Sequence, residues 1–461
     1  MVNLLRKKRV EDLLEKKGPI QLQKTMGPMD LMFLGVGAIV GTGIFILPGT
    51  VAAQHAGPGI VFSFIIAAIV CALAALCYSE FSSTIPVTGS AYSYSYIVFG
   101  EIIAWIVGWA LLLEYGLATA AVATGWSGYF VNLLDGLGLH LPQSLTSSFS
   151  IENGTFINLP AVIIILIIGS LLSYGIKEST RLNAVFVVLK ISAVLLFIVV
   201  GVFYVKPENW TPFLPFGMSG VFTGAALVFF AYLGFDAVSS AAEEVKNPQR
   251  NMPIGIIGSL VICTTLYVAV SLVLTGIVPY TQLNVSDPVA FAMQFIGQDW
   301  VAGWISLSAV IGMITVMLVM LYGGTRLLMA FSRDGLMPKA LQELHPKRKT
   351  PVKNTFVFTI VIAIVAGLVP LGTLAELVNM GTLIAFIFVS LGLIYLRKNK
   401  NLPTGGFKVP FYPVLPMVSF ILCLFLMSQL SSSTWIFCGI WLIIGVVIYF
   451  IYGKRHSTLN Q

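Results

Sequence analysis

The stretch Gly37-Ala-Ile-Val-Gly-Thr-Gly-Ile-Phe45 interrupts an apolar segment that extends from Asp30 to Thr50. Together with Gly35 it places four glycines within nine positions, and each glycine in a helix costs about 1 kcal/mol relative to alanine. In hydrocarbon, unwound backbone persists only where protein covers it or where it lines a cavity. The stretch therefore predicts a broken helix, and a broken helix at membrane depth indicates the binding site of a transporter.

The composition predicts an all-α, polytopic membrane protein. Of 461 residues, 57% are hydrophobic and only 10% are charged, whereas soluble domains carry about 25% charged residues. Apolar runs long enough to cross a bilayer recur along the whole chain. They predict twelve transmembrane helices, at 29–50, 58–80, 98–130, 157–174, 184–205, 218–240, 253–278, 301–330, 354–371, 373–396, 411–430 and 433–453.

The net charge of +7 follows the predicted topology and does not indicate nucleic acid. Nearly all of the 26 lysines and arginines lie in the N-terminal segment or in alternate loops. The remaining loops contain only Lys206, and Lys190 lies inside a predicted span. Because cytoplasmic loops are enriched in basic residues, both termini are expected in the cytoplasm of a protein of the cell membrane. The basic residues also suit contact with the anionic lipids of the bilayer.

A second interrupted segment, Phe230-Ala-Tyr-Leu-Gly-Phe-Asp236, lies in the sixth predicted span. The two interrupted spans are five apart, and an odd separation gives two halves of opposite orientation. Paired breaks in inverted halves predict a substrate site at the membrane midplane. The chain then divides into an N-terminal cytoplasmic segment, two inverted repeats, and the last two spans with a tail, at 1–28, 29–205, 206–396 and 397–461.

The two breaks suit the zwitterion of an α-amino acid. Amides at the start of the second half-helix of the first span favour a carboxylate, and the carbonyls freed at both breaks favour an ammonium. The alternative is close helix packing through small residues, since Gly37 and Gly41 have GxxxG spacing. The predicted substrate-binding residues at the breaks are Ile39, Val40, Gly41, Thr42, Gly43, Ile44, Phe230, Ala231, Tyr232, Leu233 and Gly234.

A methionine stripe, formed by Met313, Met317 and Met320, follows helical spacing in the eighth predicted span. Such stripes usually pack in a core. Met320 is nevertheless predicted to lie near the pocket, where a large side chain would favour small substrates.

Lys190 lies seven residues inside the fifth predicted span, counted from Asn183. At 1.5 Å per residue this depth is roughly 10 Å, so the side chain could snorkel to the cytoplasmic interface. The functional alternative is a buried ammonium that donates to the unwound carbonyls of the first span. A buried lysine loses its proton readily, which makes Lys190 a candidate for proton coupling.

Two acidic residues are further candidates for coupling. Glu114 lies near the centre of the third predicted span, where a bare carboxylate costs about 2.5–3.5 kcal/mol. It must be protonated or paired, with Lys190 as one possible partner, or serve as a structural acid. Asp236 either takes part in coupling or caps the second break. Glu80 and Glu101 lie near span ends and are expected at the interface.

No catalytic or metal-binding pattern is evident in the sequence. The four histidines lie in predicted loops or tails without the spacing of metal ligands, and the five cysteines lie in apolar spans. We expect no enzymatic activity, no metal and no cofactor.

The motifs resemble those of the amino acid permeases of the amino acid–polyamine–organocation superfamily and, within it, the cationic amino acid transporter family. The resemblance implies the five-plus-five inverted-repeat fold of leucine-type transporters, with Thr42 and Gly43 on the substrate carboxylate and Phe230 and Ala231 on the amine side. Twelve spans and short loops favour a bacterial member. The matching stretches are 37–45, 56–59, 76–81, 86–92, 230–236, 243–249, 252–255 and 332–338.

The predicted function is uptake of L-amino acids by alternating access, with protons as the co-transported ion. Two alternatives remain open, an exchanger of amino acids or polyamines and an amino acid sensor that moves no substrate. The sequence leaves open whether the substrate is neutral or cationic, and whether a small membrane subunit or a second copy binds.

Overall fold

The computed structural model describes residues 5–8, 26–85, 90–175, 180–240, 245–346, 348, 350–398 and 406–460. Within these ranges the chain is almost entirely helical, and the β-pairing is limited to two isolated bridges. The α-helices are α1 (Pro28–Ile39), α2 (Thr42–Phe45), α3 (Leu47–Val51), α4 (Ile60–Thr84), α5 (Ser90–Val98), α6 (Glu101–Gly136), α7 (Leu159–Tyr174), α8 (Thr180–Gly201), α9 (Gly217–Val228), α10 (Phe235–Ser240), α11 (Pro248–Ile277), α12 (Pro288–Phe295), α13 (Asp299–Arg333), α14 (Val352–Leu368), α15 (Leu371–Lys398), α16 (Val414–Ser428), α17 (Ser432–Ile448) and α18 (Lys454–His456).

Seven helical segments in the described ranges are long and apolar enough to cross a membrane. They are Leu47–Thr84, Glu101–Gly136, Ala184–Tyr204, Pro248–Ile277, Asp299–Arg333, Leu371–Lys398 and Ser432–His456. Five shorter apolar helices accompany them, at Pro28–Ile39, Leu159–Tyr174, Gly217–Tyr232, Val352–Leu368 and Val414–Ser428. The protein is therefore a polytopic helical membrane protein.

Helix boundaries depart most from the sequence prediction at the third span. The predicted span 98–130 is in fact α6, which begins at Glu101 and continues to Gly136, and a separate helix, α5, precedes it. Gly100 between them has φ +99°, a conformation that only glycine adopts without strain, and this breaks the helix. The motif residues at 86–89 and 243–244 lie outside the described residues.

The centre of the molecule is built on α6, which packs along α13 and α15, while α11 packs along α4 and α1. The helix α17 is fastened to α6 by reciprocal hydrogen bonds. Trp109 Nε1 donates to Trp441 O at 2.8 Å, and Trp441 Nε1 donates to Trp109 O at 2.9 Å. The last predicted span thus belongs to the same packed scaffold.

The two acids near span ends are buried, which corrects the expectation that they lie at the interface. Glu101 accepts hydrogen bonds from Arg6 at 3.1 Å and from Tyr449 at 2.8 Å. Glu80 binds the guanidinium of Arg397 through two contacts of 2.6 Å. Burial is tolerated here because each carboxylate is paired with an arginine.

Candidate functional site

The first break separates α1 from α2 at Val40 and Gly41. The last bond of α1 runs from Val40 N to Val36 O at 2.8 Å, and Val40 itself is extended. The carbonyls at the end of α1 therefore have no intrahelical donor. The amides of Thr42 and Gly43, at the start of α2, likewise have no intrahelical acceptor. Opposite partial charges face each other across this gap.

The second break separates α9 from α10. After Val228 the chain forms a 3₁₀ turn at Phe229–Tyr232, and Leu233 is then extended. Gly234 has φ +110°, a left-handed conformation that favours glycine. The local sequence explains the break, because the glycine follows the apolar run directly.

The two breaks cross in direct contact. A Cβ atom placed on Gly43 would lie 2.4 Å from the Cα of Ala231, and one placed on Gly234 would lie 3.0 Å from the carbonyl oxygen of Ala38. A larger residue at Gly43 cannot be accommodated without moving backbone. The structure thus brings the backbone of the first break, at Gly43 and Ala38, into contact with that of the second, at Ala231 and Gly234.

Tyr267 on α11 joins the two breaks. Its hydroxyl lies 2.7 Å from Ala231 O and 3.1 Å from Ile39 O, so it shares one proton between carbonyls of both interrupted spans. Sequence reasoning missed this residue. A tyrosine in a long apolar helix carries no local signal that distinguishes it from ordinary core packing.

The walls beside the first break are small or apolar. A Cβ on Gly125 of α6 would lie 2.6 Å from Thr42, and a Cβ on Gly41 would lie 3.2 Å from Val316 of α13. The Thr42 hydroxyl lies 3.8 Å from the sulfur of Met313. Met313 and Val316 therefore contact this break, and Met320 lies buried one turn beyond Val316.

Lys190 on α8 lies deep in the protein, with 1% of its surface exposed. Its Nζ donates to Gly37 O at 2.9 Å and to Thr315 Oγ1 at 3.0 Å. The first of these is one of the carbonyls left free at the end of α1. A Cβ on Gly312 would lie 2.7 Å from Lys190 Cε, so this glycine makes room for the lysine stem.

Glu114 is buried to the same degree, but its surroundings differ. Among the described residues, neither carboxyl oxygen has a hydrogen-bond partner. The carboxyl of Asp236 and the hydroxyl of Thr382 lie nearby, and Tyr115 donates to Asp236 Oδ2 at 3.3 Å. Glu114 thus belongs to an acidic cluster, whereas Lys190 contacts a carbonyl and a hydroxyl.

A family model described as amino acid permease matches residues 26–459. The chain is 55% identical to the methylthioribose transporter of Bacillus subtilis, over the full length of both proteins. It is 52% identical to the branched-chain amino acid permease BcaP of the same organism, over 100% of this chain and 99% of the relative. It is 32% identical to the vacuolar cationic amino acid transporter 4 of Arabidopsis thaliana, over 100% and 97% of the two chains.

Proposed function

Because this chain belongs to the amino acid permease family, as its motifs predict, we propose that it takes up L-amino acids by secondary active transport. The observation that carries the proposal is the direct contact between the two helix breaks, at Gly43 with Ala231 and at Gly234 with Ala38. We assign the seven long and five short apolar helices to twelve spans in a five-plus-five inverted repeat. The interrupted segments α1–α3 and α9–α10 would be spans one and six.

We call the two crossing helix breaks, at 39–43 and 230–234, the cradle. It would bind the α-carboxylate and α-ammonium groups, which all amino acids share. The amides of Thr42 and Gly43 would hold the substrate carboxylate, and the carbonyls of Ile39 and Ala231 would hold its ammonium. A carbonyl oxygen accepts two hydrogen bonds, so these carbonyls can bind an ammonium while they also accept from Tyr267. Rocking of the broken spans against α6 and α13 would open the cradle to each side in turn.

The cradle walls favour a neutral aliphatic substrate. Within the described contacts of the first break, the neighbouring side chains are Thr42, Met313 and Val316, and none of them is acidic. A cationic side chain would remain unpaired there, and burying an unpaired charge is costly. The 52% identical relative, a branched-chain amino acid permease, supports the same substrate class.

Proton coupling would involve both buried ionisable clusters. Lys190 bonds the end of α1 through Gly37, so a change in its charge alters how firmly that arm is held. Asp236 accepts from Tyr115, the residue that follows Glu114, so the two acids belong to one cluster. Two acids that interact would release their protons as a coupled pair. A proton held by this pair could be exchanged as the second broken span moves.

Uptake into proteoliposomes tests the proposal. Labelled alanine, isoleucine and arginine would be supplied with and without an inward proton gradient. We expect gradient-stimulated uptake of alanine and isoleucine, and weak uptake of arginine. If none of the three is transported or competes, the proposed substrate class is wrong. Uptake that is independent of the proton gradient but requires amino acid inside the vesicles would favour an exchanger. Saturable binding without counterflow would favour a sensor.

A second candidate substrate is methylthioribose, since the relative with 55% identity is named as its transporter. This sugar has neither carboxylate nor ammonium, so it would use the cradle through hydroxyl groups alone. Competition of unlabelled methylthioribose against labelled isoleucine separates the two candidates. A Thr42→Trp variant, which fills the cradle, should abolish uptake of either substrate.

A further inference from the structure

A second concave surface lies away from the helix breaks, between α6 and α7, and the loop that joins these helices covers it. It encloses about 300 Å³ and all of its lining side chains are apolar. Leu141 and Leu145 form the roof, and Ile163 and Ile167 form one wall. We call this surface the α6–α7 groove.

The floor of the α6–α7 groove is Trp126. Its ring stacks on Phe130 with centroids 4.5 Å apart, and its indole N–H donates to Val310 O on α13 at 3.1 Å. Only 6% of Trp126 is exposed. The preceding residue is Gly125, which packs against Thr42 of the cradle. Anything that presses on Trp126 therefore acts one residue away from the cradle wall.

The mouth of the groove opens on an apolar helix surface. Ile163 and Ile167 are each 48% exposed, and their neighbour Leu166 is 41% exposed. In the proposed topology α7 crosses the membrane, so this surface faces lipid and the groove continues it inward. Water gains no hydrogen bonds in an apolar groove, whereas a hydrocarbon chain gains contact on every side.

We propose that the α6–α7 groove binds an acyl chain of a phospholipid from the surrounding leaflet, and that this chain packs on Trp126 and steadies the α6 wall of the cradle. That lipid occupies the groove rests on the membrane topology given under the proposed function. Only the effect of the lipid on uptake depends on the protein being a transporter. The alternative occupant of the groove is a helix from a second copy of this chain.

Quenching by brominated lipid tests the occupancy without reference to transport. The protein would be reconstituted into phosphatidylglycerol vesicles whose acyl chains carry bromine at mid-chain or carry none. Bromine quenches a tryptophan that it touches. The difference between the parent and Trp126→Phe isolates one of the eight tryptophans. We expect bromine to quench more than half of this component, although the side chain is nearly buried.

A matched pair of variants locates the effect. Ile163→Phe narrows the mouth and should restore most of the Trp126 fluorescence, whereas Leu166→Phe, on the same helix outside the lining, should leave quenching at the parent level. If Trp126→Phe fails to fold, the same pair is compared on total fluorescence. The proposal is overturned if brominated lipid leaves the Trp126 component unchanged, if aqueous iodide quenches it instead, or if the protein is a dimer and shows no quenching.

Uptake measured on the same pair tests the consequence. Ile163→Phe should raise the KM for isoleucine about threefold relative to Leu166→Phe. Equal KM values in the two variants, together with strong quenching of Trp126 in the parent, would overturn the link to the cradle. The lipid site itself would remain supported. Absent transport with strong quenching would overturn the proposed function alone.

Discussion

Lys190 and Glu114 are ionisable side chains buried to the same degree in two different regions of the molecule. The ammonium of Lys190 bonds Gly37 O and Thr315 Oγ1, and Gly312 leaves space for its stem. The carboxyl of Glu114 has no hydrogen-bond partner in the described part of the chain. The charge of Lys190 is met by two acceptors, whereas the carboxyl of Glu114 lies beside another acid, Asp236.

The difference in hydrogen bonding gives Lys190 a structural as well as a functional role, and Glu114 a functional role alone. A buried charge with partners holds neighbouring elements in place, and its removal leaves those partners unsatisfied. A buried acid without partners costs stability, and it persists in a membrane protein where function requires it. We therefore expect substitutions at Lys190 to affect both stability and uptake, and substitutions at Glu114 to affect uptake alone.

The largest effect is expected from Lys190→Met. The variant leaves Gly37 O without its donor, which costs about 1–3 kcal/mol. It should lower gradient-driven uptake at least tenfold and flatten its pH dependence. Thermal unfolding can be followed with a thiol-reactive dye, because all five cysteines are buried and become accessible on unfolding. The exposed Lys206→Met serves as control, and an unchanged pH dependence in Lys190→Met would contradict the proposed coupling.

A smaller effect in the same region is expected from Gly312→Ala. The added methyl would lie 2.7 Å from Lys190 Cε, so the lysine must shift away from Gly37 O. We expect a several-fold loss of uptake and a destabilisation of about 1–3 kcal/mol, the usual range for overpacking. Gly303→Ala is the matched control, since nothing lies within 4 Å of a Cβ at that position of the same helix. Equal behaviour of the two variants would show that the position of Lys190 is not critical.

Glu114→Gln tests the other side of the comparison. Because neither carboxyl oxygen has a hydrogen-bond partner among the described residues, the free energy of unfolding should stay within about 0.5 kcal/mol of the parent, as for a neutral substitution. The pH dependence of uptake should change, since the amide cannot take up a proton. A destabilisation as large as that of Lys190→Met would mean that the carboxyl is a structural partner after all.

An effect on stability alone is expected from Asp287, at the start of α12 outside the spans. Burial raises the pKa of Asp287 to about 6, and Tyr129 and Asn132 of α6 face it. The folded state therefore binds the proton more tightly, so stability is greatest at low pH and falls as the pH rises through 6. Between pH 5 and 7 the loss should be about 1 kcal/mol.

Melting temperatures of the parent and of Asp287→Asn at both pH values check this expectation. The pH-dependent difference should disappear in Asp287→Asn and persist in Asp299→Asn, which changes an exposed aspartate at the start of α13. Persistence of the difference in Asp287→Asn would assign the titration to another group.

Much of the fold is predictable from the sequence because its signals are local. The glycines around Gly41 and the Leu-Gly pair at 233–234 predict where the helices break, and the structure has its breaks there. The predicted third span begins before the observed helix, because Gly100 lies between two apolar runs that hydropathy alone does not separate.

Most of the contacts at the candidate site were not predictable. Lys190 meets residues 153 and 125 positions away in the chain, and Tyr267 bridges carbonyls 228 and 36 positions away. Helices that are apolar on every side give no indication of which face turns inward. Thr315, Gly312 and Tyr267 therefore looked like ordinary helix residues until the packing was known.

The sequence by itself determined that this is a helical membrane protein with two interrupted segments, because helix propensity and hydropathy are properties of short stretches of chain. Only the tertiary structure decided that the two breaks touch, that Lys190 holds the end of α1, and that Glu114 has no hydrogen-bond partner among the described residues. Those contacts depend on the rotation and depth of whole helices relative to one another. Rotation and depth are set by packing across the entire bundle, and no short stretch of sequence contains them.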